Sequence, residues 1–368
     1  MEVYFTFTLL FIAAEAVLTV FSFFGAKLDF RPAVRTVLTV LKALVGIACA
    51  VVVLAGPVQL RFAQPFLMAL YVALLADAAA CAVYGIYRRI GKKEYSRKVL
   101  KCFSLVFGVL FFVYGVVNMQ LVVPKYSSYS SEKLTQEHRF VFLADLHVGS
   151  AQSFSVTEKT VEKIALESPE FVILGGDIVD DYTTEAEMKD TFALFGSLGV
   201  PVYYIYGNHD RQGHAEYAGG VKFTPEELET TMEDCGVTVL KDKYVSIAPD
   251  LVLLGREDIS EGEGRSEAGT LVNPAPDSFL IVADHQPVQF KENLVCGTDL
   301  QLSGHTHAGQ LFPLRAFYSL IGYCSGEYRV NGSVLLVSSG ACGWRMPLRT
   351  DARCNYEVIT LSPAVQES

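Results

Sequence analysis

The stretch LQLSGHTHAGQ, residues 300–310, joins a short apolar run to a pair of histidines with glycines on both flanks. The apolar run is typical of the end of a β-strand, and the flanking glycines allow a tight loop after it. Such a loop can aim the imidazoles of His305 and His307 into one cleft, and imidazole is a good ligand for zinc, iron or manganese. The pair alone leaves two interpretations open: a metal-binding loop, or ordinary loop and capping histidines.

Charge and hydropathy divide the chain into two parts. The whole chain is 51% hydrophobic with a mean hydropathy of +0.31, which is high for a soluble protein. Residues 1–135 carry 14 Lys and Arg against 6 Asp and Glu, whereas residues 136–368 carry 16 against 34. The acidic second part argues against duplex nucleic acid as a partner and is compatible with a site rich in metal-binding carboxylates.

The first part contains four apolar stretches long enough to cross a bilayer, which takes roughly 20 residues. They cover residues 3–24, 33–54, 65–86 and 99–123. Helices are expected because lipid offers no hydrogen-bond partner to an exposed backbone. The first stretch lacks the basic leader and cleavage site of a secretory signal, so the sequence predicts a four-helix anchor over residues 1–123.

Basic residues in the short loops predict how this anchor is oriented. Two loops carry them: Lys27, Arg31 and Arg35 in the first, and Arg88, Arg89, Lys92, Lys93, Arg97, Lys98 and Lys101 in the other. With four helices both loops lie on one side, which should be cytoplasmic, so the N-terminus and the second part should be non-cytoplasmic. Lys42 can extend toward the basic side, and Glu15 and Asp77 are expected to face the bundle interior, with a transport role as the alternative.

Residues 124–136 are polar and serine-rich, and the sequence predicts a linker there, followed by a second domain over residues 137–368. This domain begins as alternating buried strands and helices, which predicts an α/β fold with a mainly parallel sheet. The strands are predicted at 140–143, 171–174 and 202–206, and helices at 156–167, 184–198 and 225–235. Later candidates, several without intervening helices, predict a second, more antiparallel sheet: 237–240, 251–254, 279–283, 300–302, 333–337 and 356–361.

Polar residues follow the strands at their carboxyl ends, where ligands bind in parallel sheets. Five of the seven histidines lie in these clusters, beside carboxylates and glycine turns. The clusters contain Asp145, His147, Asp177, Asn208, His209, His285, His305 and His307. This is enough for two metals sharing one carboxylate, with one histidine left for chemistry. A structural zinc fits less well, because such sites favour closed four-ligand cages often rich in cysteine.

The order of these motifs resembles that of the calcineurin-like metallophosphoesterase superfamily. The matching motifs are Asp145-x-His147, Gly176-Asp177, Gly207-Asn208-His209-Asp210, His285 and Gly304-His305-x-His307. Residues further along the chain are similar to a membrane-associated subgroup that includes the transmembrane proteins with a metallophosphoesterase domain. These are Gly326-Glu327-Tyr328, Ser339-Gly340 and Pro347-Leu348-Arg349.

The resemblance implies a four-layer α/β/β/α sandwich with two divalent metals, and leaves open whether these are Mn, Zn or Fe. It assigns Asp145, His147 and His307 to the first metal. It assigns Asn208, His285 and His305 to the second metal, with Asp177 bridging the two. A hydroxide held between the metals would attack phosphorus. His209 would protonate the leaving oxygen, and Asp180, at the family's spacing, would orient His209.

The resemblance predicts hydrolysis of a phosphomonoester, phosphodiester or pyrophosphate, with membrane lipids as neighbours and a lipid-linked or envelope substrate suggested by location. Asp181-Tyr182 and Asp210 depart from the Ser/Thr-phosphatase branch, which has Arg-Gly and Glu there, and so disfavour protein phosphatase activity. Two alternatives remain: a nucleotide phosphodiesterase or nuclease of the same superfamily, and a non-catalytic receptor or scaffold. The intact ligand set favours an enzyme.

Three further features have open roles. Arg349 and Arg329 are candidates for binding a substrate phosphate, or ordinary surface arginines. The loop around Trp344 is either a lipid-facing lip beside the site or part of the core. Cys342 and Cys354 are a candidate disulfide if the domain lies outside the cytoplasm, and otherwise small buried apolar side chains.

Overall fold

The structure is a computed structural model that describes residues 2–25, 32–55, 64–91, 97–271 and 273–364. It separates into two compact units. One unit contains Met1–Val116 together with Leu311–Leu314, and the other contains Val117–Gln310 and Arg315–Ser368.

The first unit is built from apolar helices. They are α1 (Glu2–Gly25), α2 (Pro32–Ala55), α3 (Gln64–Gly91) and α4 (Arg97–Gln120). Among the described residues, three segments are long and apolar enough to span a membrane: Ala33–Leu54, Gln64–Gly91 and Lys98–Gln120. The apolar part of α1 is described over Leu9–Val20, which is shorter than the roughly 20 residues that a span needs, so three candidate spans replace the predicted four. Of the basic loop residues, Lys27, Arg31, Lys92 and Lys93 lie outside the described residues.

One buried aspartate of this unit forms ion pairs with lysines of two other helices. Asp77 is buried and pairs with Lys42 of α2 and with Lys101 of α4, the latter at 2.6 Å. Glu15 is also buried, so both carboxylates face the interior as the sequence predicts. Lys42 differs from expectation because it pairs with Asp77 rather than extending to the basic side. Removing either partner of such a pair would leave an uncompensated charge in an apolar setting.

The second unit contains two six-stranded sheets. Their strands are β1 (Val123–Ser131), β2 (His138–Leu143), β3 (Phe171–Leu174), β4 (Val202–Tyr204), β5 (Val237–Val239), β6 (Lys243–Ala248), β7 (Leu251–Gly255), β8 (Phe279–Ala283), β9 (Leu300–Ser303), β10 (Gly326–Val330), β11 (Ser333–Val337) and β12 (Asn355–Pro363). The first sheet has the order β1-β12-β2-β3-β4-β5, and the second β10-β11-β9-β8-β7-β6.

The second sheet has two antiparallel pairs and the first sheet has one, so the second is the more antiparallel, as the sequence predicts. Its antiparallel pairs lie at the two edges, β10 with β11 and β6 with β7, whereas the central strands β11, β9, β8 and β7 are parallel. Short helical segments at 259–270 and 287–296 supply the crossovers that parallel neighbours require. The sequence does not reveal these crossovers, because the segments are too short and irregular to show helical periodicity. Two strands assigned to this sheet, at 237–240 and 356–361, join the first sheet instead.

The linker prediction for residues 124–136 is wrong over most of its length. Residues 123–131 form β1, which pairs in parallel with β12 over nine residues, from Val123 with Asn355 to Ser131 with Pro363. Tyr129 is buried in the core between the sheets, whereas Tyr126 is exposed. The serines of this strand hide the apolar alternation that would predict a strand. An edge strand can form with few apolar side chains, because its neighbour satisfies its backbone hydrogen bonds.

Helices cover the sheets: α5 (Phe154–Leu166), α6 (Glu185–Gly196), α7 (Pro225–Asp234), α8 (Phe290–Asn293) and α9 (Leu314–Ile321). The first three are at the predicted positions. Capping boxes start α6 at Thr184 with Glu187 and α7 at Thr224 with Glu227, so their first backbone N–H groups have partners.

Two faces of the first sheet lie in different parts of the core. Val141 and Val172 pack with side chains of α5, α6 and α7, whereas Phe140 and Phe142 pack with Ile281 of β8 and other residues of the second sheet. Both faces of β2 and β3 are therefore buried, which explains why these strands are continuous apolar runs rather than alternating ones.

Candidate metal centre

Each predicted donor lies just beyond the carboxyl end of a strand that has a parallel neighbour. Asp145 and His147 follow β2, Asp177 follows β3, Asn208 and His209 follow β4, His285 follows β8, and His305 and His307 follow β9. The fold thus brings donors from both sheets to one place.

The donors form two groups of three. Asp145, His147 and His307 form one group, and Asp177, His285 and His305 form the other. Within each group the donor atoms lie within 4.8 Å of one another. One carboxylate and two imidazoles at this spacing fit a divalent transition metal.

Asp177 lies between the two groups. Its Oδ2 atom is 3.1 Å from Nε2 of His285 and 3.7 Å from Nε2 of His147. Its Oδ1 atom accepts a hydrogen bond from the His209 backbone N–H at 2.8 Å. One carboxylate oxygen therefore faces imidazoles of both groups, which is the arrangement expected of a shared ligand.

Asn208 completes the second group. Its Oδ1 atom is 2.8 Å from Nδ1 of His305, so an amide oxygen and an imidazole nitrogen converge. The structure thus brings all seven predicted donors together. An amide oxygen adds a ligand without adding negative charge.

The outer nitrogens of three histidines are held by other groups. Nδ1 of His285 is 2.8 Å from the Gly175 carbonyl oxygen, and Nδ1 of His307 is 3.0 Å from that of Cys342. Nδ1 of His147 lies 3.2 Å from a carboxylate oxygen of Asp180. These contacts orient the rings and leave Nε2 for the centre.

Buried atoms without partners indicate that the site suits a cation. Among the described residues, Nε2 of His147 and Nε2 of His285 are buried and have no hydrogen-bond partner. Buried polar atoms normally find partners, and a metal ion would supply one here. The donor set, rich in imidazole and carboxylate, fits the chemistry of zinc, iron or manganese.

The donors also share an unusual backbone conformation. A positive φ is uncommon for residues other than glycine and is concentrated at functional sites, where surrounding structure holds it. Five donors have it: Asp145 at 55°, His147 at 44°, Asp177 at 51°, His305 at 70° and His307 at 47°.

Glycine is required at position 304 because the backbone there passes close to the Asp145 side chain. A Cβ atom there would lie 2.5 Å from a carboxylate oxygen of Asp145, and one at Gly207 would collide with the Asp177 carboxylate. These glycines therefore let the strand-end loops pass next to the acidic ligands.

Asp210 belongs to a motif noted in the sequence, but its supporting role beside the site is not predicted there. Its buried carboxylate accepts hydrogen bonds from four backbone N–H groups, and so ties the loop after β3 to the loop after β4. The donors are Gly207 at 2.6 Å, Asp177 at 2.8 Å, Ile178 at 2.9 Å and Val179 at 3.1 Å. The sequence shows only that Asp210 directly follows His209. Its role in holding the two loops together depends on contacts with residues of the other loop, which the sequence does not show.

Asp181, rather than the predicted Asp180, contacts His209. Nδ1 of His209 is 3.1 Å from Oδ2 of Asp181, and the other carboxylate oxygen accepts the His214 backbone N–H at 2.8 Å. Asp180 instead faces His147 and accepts the Tyr182 backbone N–H at 2.8 Å. Two adjacent aspartates therefore serve two different histidines.

Trp344 borders the same histidine. The ring centroids of His209 and Trp344 are 5.2 Å apart, and those of His209 and His147 are 5.6 Å apart. Gln310 holds the Trp344 loop, because its amide donates to the carbonyls of Trp344, Met346 and Leu348 and accepts the Trp344 N–H. Trp344 is half-buried and Met346 is buried, so this loop packs against the site.

Arg349 is wholly buried, so it is not a surface arginine, and its guanidinium is engaged with backbone carbonyls. Its guanidinium donates to the carbonyls of Cys342, Ser339 and His307 and so fixes the loop behind His307. Arg329 is exposed and pairs with Glu327. In the described chain Cys342 and Cys354 are buried free thiols, not a disulfide.

Proton occupancy differs between the histidines. Burial acts to lower the pKa of His147, but Asp180 and Asp177 outweigh it and raise that pKa to about 9. Burial and the neighbouring His285 lower the pKa of His305 to about 4. Imidazole binds a metal ion in its neutral form, so acid should weaken metal binding.

Comparison with known proteins gives consistent matches. Residues 138–309 match the family model described as calcineurin-like phosphoesterase. The chain is 28% identical over 271 residues to an uncharacterized metallophosphoesterase of Campylobacter jejuni, covering 70% of this chain and 68% of that protein. It is 27% identical over 289 residues to a Danio rerio protein named transmembrane protein with metallophosphoesterase domain, covering 71% of this chain and 62% of that protein.

The chain thus spans about two thirds of the length of these relatives. Among solved structures, a dimetal phosphatase from Danio rerio superposes with a TM-score of 0.40 at 13% identity, covering 55% of this chain and 87% of that one.

Proposed function

Because residues 138–309 belong to the calcineurin-like phosphoesterase family, we propose that the chain is a metal-dependent phosphoric ester hydrolase anchored in a membrane. Its substrate carries a phosphomonoester, phosphodiester or pyrophosphate bond. The observation that carries this proposal is the pair of donor groups with Asp177 between them. The resemblance also supports the four-layer sandwich as the arrangement of helices and sheets.

The donors divide between two divalent cations. Asp145, His147 and His307 would hold one of them. Asn208, His285 and His305 would hold the other, with Asp177 shared. Bound in this way, the cations would supply Lewis-acid activation of the phosphoryl group and of water.

His209 and Asp181 handle the proton that the leaving oxygen needs. Asp181 accepts the Nδ1 proton of His209, which leaves Nε2 as the nitrogen available to a substrate. The ring of Trp344 restricts how the imidazole can turn. A histidine placed in this way acts as a general acid, an effect typically worth about 10²–10⁴ in rate.

The helical unit anchors the enzyme, and the distribution of basic residues supports a catalytic unit on the non-cytoplasmic side. Two residues, Leu121 and Val122, join α4 to β1. The second unit is therefore tethered to α4 by a short stretch of chain, which supports a substrate in the membrane or envelope. Cytosolic nucleotide-linked substrates do not fit this orientation.

The test is a substrate panel with the purified full chain in detergent, supplied in turn with Mn, Zn and Fe. The panel should contain a phosphomonoester, a phosphodiester, a pyrophosphate and a nucleotide diester. We expect Asp177→Ala and His209→Ala to reduce turnover at least 100-fold. Asp190→Ala, an acidic substitution at an exposed position on α6, is the matched control and should not change turnover.

Two results would contradict the proposal. Unchanged turnover in both Asp177→Ala and His209→Ala would show that the assigned residues do not carry the reaction. A wild-type protein that binds two metals but hydrolyses nothing in the panel would favour the receptor or scaffold alternative. Selective hydrolysis of the nucleotide diester would instead identify the nucleotide phosphodiesterase alternative.

A further inference from the structure

Helix α9 begins four residues after the catalytic loop, residues 304–310, and exposes apolar side chains. Phe317 is 47% exposed, Leu320 82% and Ile321 83%, and Phe312, two residues before the helix, is 51% exposed. Other large aliphatic side chains exposed in the described second unit are separated along the sequence, as at Leu166 and Val221. Such a concentration marks an interaction surface, whereas single exposed apolar residues are ordinary.

The helix has two distinct exposed sides. At 100° per residue, Phe317, Leu320 and Ile321 fall on one side, whereas Arg315 and Ser319 fall on the opposite one. The buried Leu314 lies next to the apolar side. A helix with apolar and polar exposed sides suits an interface between apolar and aqueous phases.

Two observations connect this segment to the helical unit. Leu311–Leu314 group with the helical unit that contains the candidate spans. Within that unit, the Tyr71 hydroxyl donates to the Phe312 carbonyl oxygen at 2.9 Å, and Tyr71 belongs to the candidate span Gln64–Gly91. The chain therefore leaves the catalytic loop at Gln310, contacts a candidate span at Phe312, and then exposes the apolar side of α9.

We propose that Phe312 and the apolar side of α9 lie in the interfacial region of the lipid bilayer. The occupant of this surface is lipid rather than protein, because the segment continues from residues that contact a candidate span. The inference rests on the proposed membrane anchoring. As a consequence, the segment that follows the loop of His307 contacts lipid, and we expect a phosphate ester carried by a lipid to be hydrolysed faster than a soluble one.

Depth-dependent quenching tests this proposal in the full chain, reconstituted into nanodiscs of phosphatidylcholine and phosphatidylglycerol. Trp344 is the single tryptophan, so Trp344→Phe removes the native tryptophan fluorescence and any added tryptophan can be observed alone. Leu320→Trp places a reporter on the apolar side of α9, and Ser319→Trp places one on the polar side, about 100° away around the helix. We expect phosphatidylcholine brominated near the headgroup to quench Leu320→Trp several-fold more than Ser319→Trp, with bluer emission from the former.

Equal quenching at the two positions, or no quenching of Leu320→Trp, would overturn the proposal. A blue shift of Leu320→Trp that appears with protein concentration and not with lipid would assign the surface to a second copy and would also overturn it. The readout needs no activity. If Leu320→Trp is quenched as expected while the wild-type protein hydrolyses nothing in the panel, the proposed function is refuted and the lipid contact stands.

An activity measurement adds a second test on the wild-type Trp344 background. We expect Leu320→Glu with Ile321→Glu to reduce hydrolysis of a phosphate ester carried by a lipid several-fold, with little change for a soluble ester. Ser319→Glu adds a charge on the polar side and should change neither rate. Equal loss on both substrates would contradict a role in lipid contact.

Discussion

Asp180 and Asp181 are adjacent carboxylates with different partners. Asp180 accepts the Tyr182 N–H and turns toward His147, whereas Asp181 is held by the His214 N–H and contacts His209. Spacing alone favours Asp180, because the family's orienting aspartate stands three residues after the bridging one. The course of the loop after Asp177 decides otherwise, and one residue changes which histidine is supported.

Asp181→Asn tests this assignment. We expect kcat to fall about tenfold or more for esters with poor leaving groups, because His209 loses its orienting carboxylate. Esters with good leaving groups, such as a nitrophenyl ester, should be less affected, since they need little protonation. The ratio of the two rates is the measurement, and Asp190→Asn at an exposed position is the control.

Asp180→Asn should behave differently. Its carboxylate contacts His147, a proposed metal ligand, so we expect metal affinity to fall roughly 10- to 100-fold. Saturating metal should restore the rate for both kinds of ester. Identical behaviour of the two aspartate variants would contradict the division of roles.

His138 links stability to pH away from the metal centre. It is buried, with Nδ1 2.9 Å from Glu170 and Nε2 3.0 Å from Asp250. Burial acts to lower the pKa of His138, but hydrogen bonds to these carboxylates outweigh it and raise that pKa. Burial acts to raise the pKa of Asp250, but hydrogen bonds from Thr135 and His138 outweigh it and lower that pKa.

The sign of the pH effect follows from these directions. A raised pKa in the folded state stabilises the protein below the unfolded value, about 6.5, and this stabilisation is lost as pH rises through the folded pKa. We therefore expect the thermal midpoint of the wild type to fall relative to that of His138→Gln as pH rises from 5.5 to 8.5. Parallel curves for the two proteins would show that His138 contributes no such linkage.

At the scale of elements, β1 attaches the catalytic unit to the end of α4. The strand pairs with β12, and the last turn of α4 is also fixed, because Asn118 donates to the Arg349 and Ala352 carbonyls. Gln152 donates to the Met119 carbonyl at 2.5 Å. Most of the segment predicted as a linker is thus an ordered strand of the second unit.

Tyr129→Ala and Tyr126→Ala distinguish a strand from a linker. Tyr129 is buried between the sheets, so its removal should cost about 3 kcal/mol in the free energy of unfolding. Tyr126 is exposed, and its removal should cost about 0.5 kcal/mol. Unfolding can be followed by the fluorescence of Trp344, which belongs to this unit. Equal, small effects would restore the linker interpretation.

At the scale of the whole molecule, orientation in the membrane decides which substrates the enzyme meets. The three candidate spans lie in α2, α3 and α4, so whether α1 also crosses the bilayer has to be measured. If α2, α3 and α4 cross the bilayer with both basic loops in the cytoplasm, the C-terminus lies outside, and α1 decides only the side of the N-terminus.

A reporter fused to the C-terminus tests this orientation. We expect activity from a reporter that works outside the cytoplasm and none from a cytosolic one. The same reporters fused after residue 93, in the second basic loop, are the control. There we expect activity from the cytosolic reporter and none from the other. A cytosolic C-terminus would remove the argument for an envelope substrate without affecting the metal centre.

The sequence by itself determined the α/β class and the helices α5, α6 and α7, and it predicted candidate donors for a metal centre. These features are visible because each rests on a local signal: a buried strand is a continuous apolar run, a ligand has the chemistry of its own side chain, and a loop that passes a carboxylate needs glycine. The apolar character of the first part is equally local, because a span needs a minimum number of consecutive apolar residues.

Tertiary structure decided what depends on distant partners. The polar strand β1 exists because β12 supplies its hydrogen bonds. The parallel order of the second sheet follows from crossovers that have no periodic signature. Asp210 and Asp181 acquire their roles from backbone groups and rings brought near by folding, and Arg349 is buried because carbonyls of three separate residues surround it. None of these contacts is encoded by residues adjacent in sequence, so only the folded chain shows them.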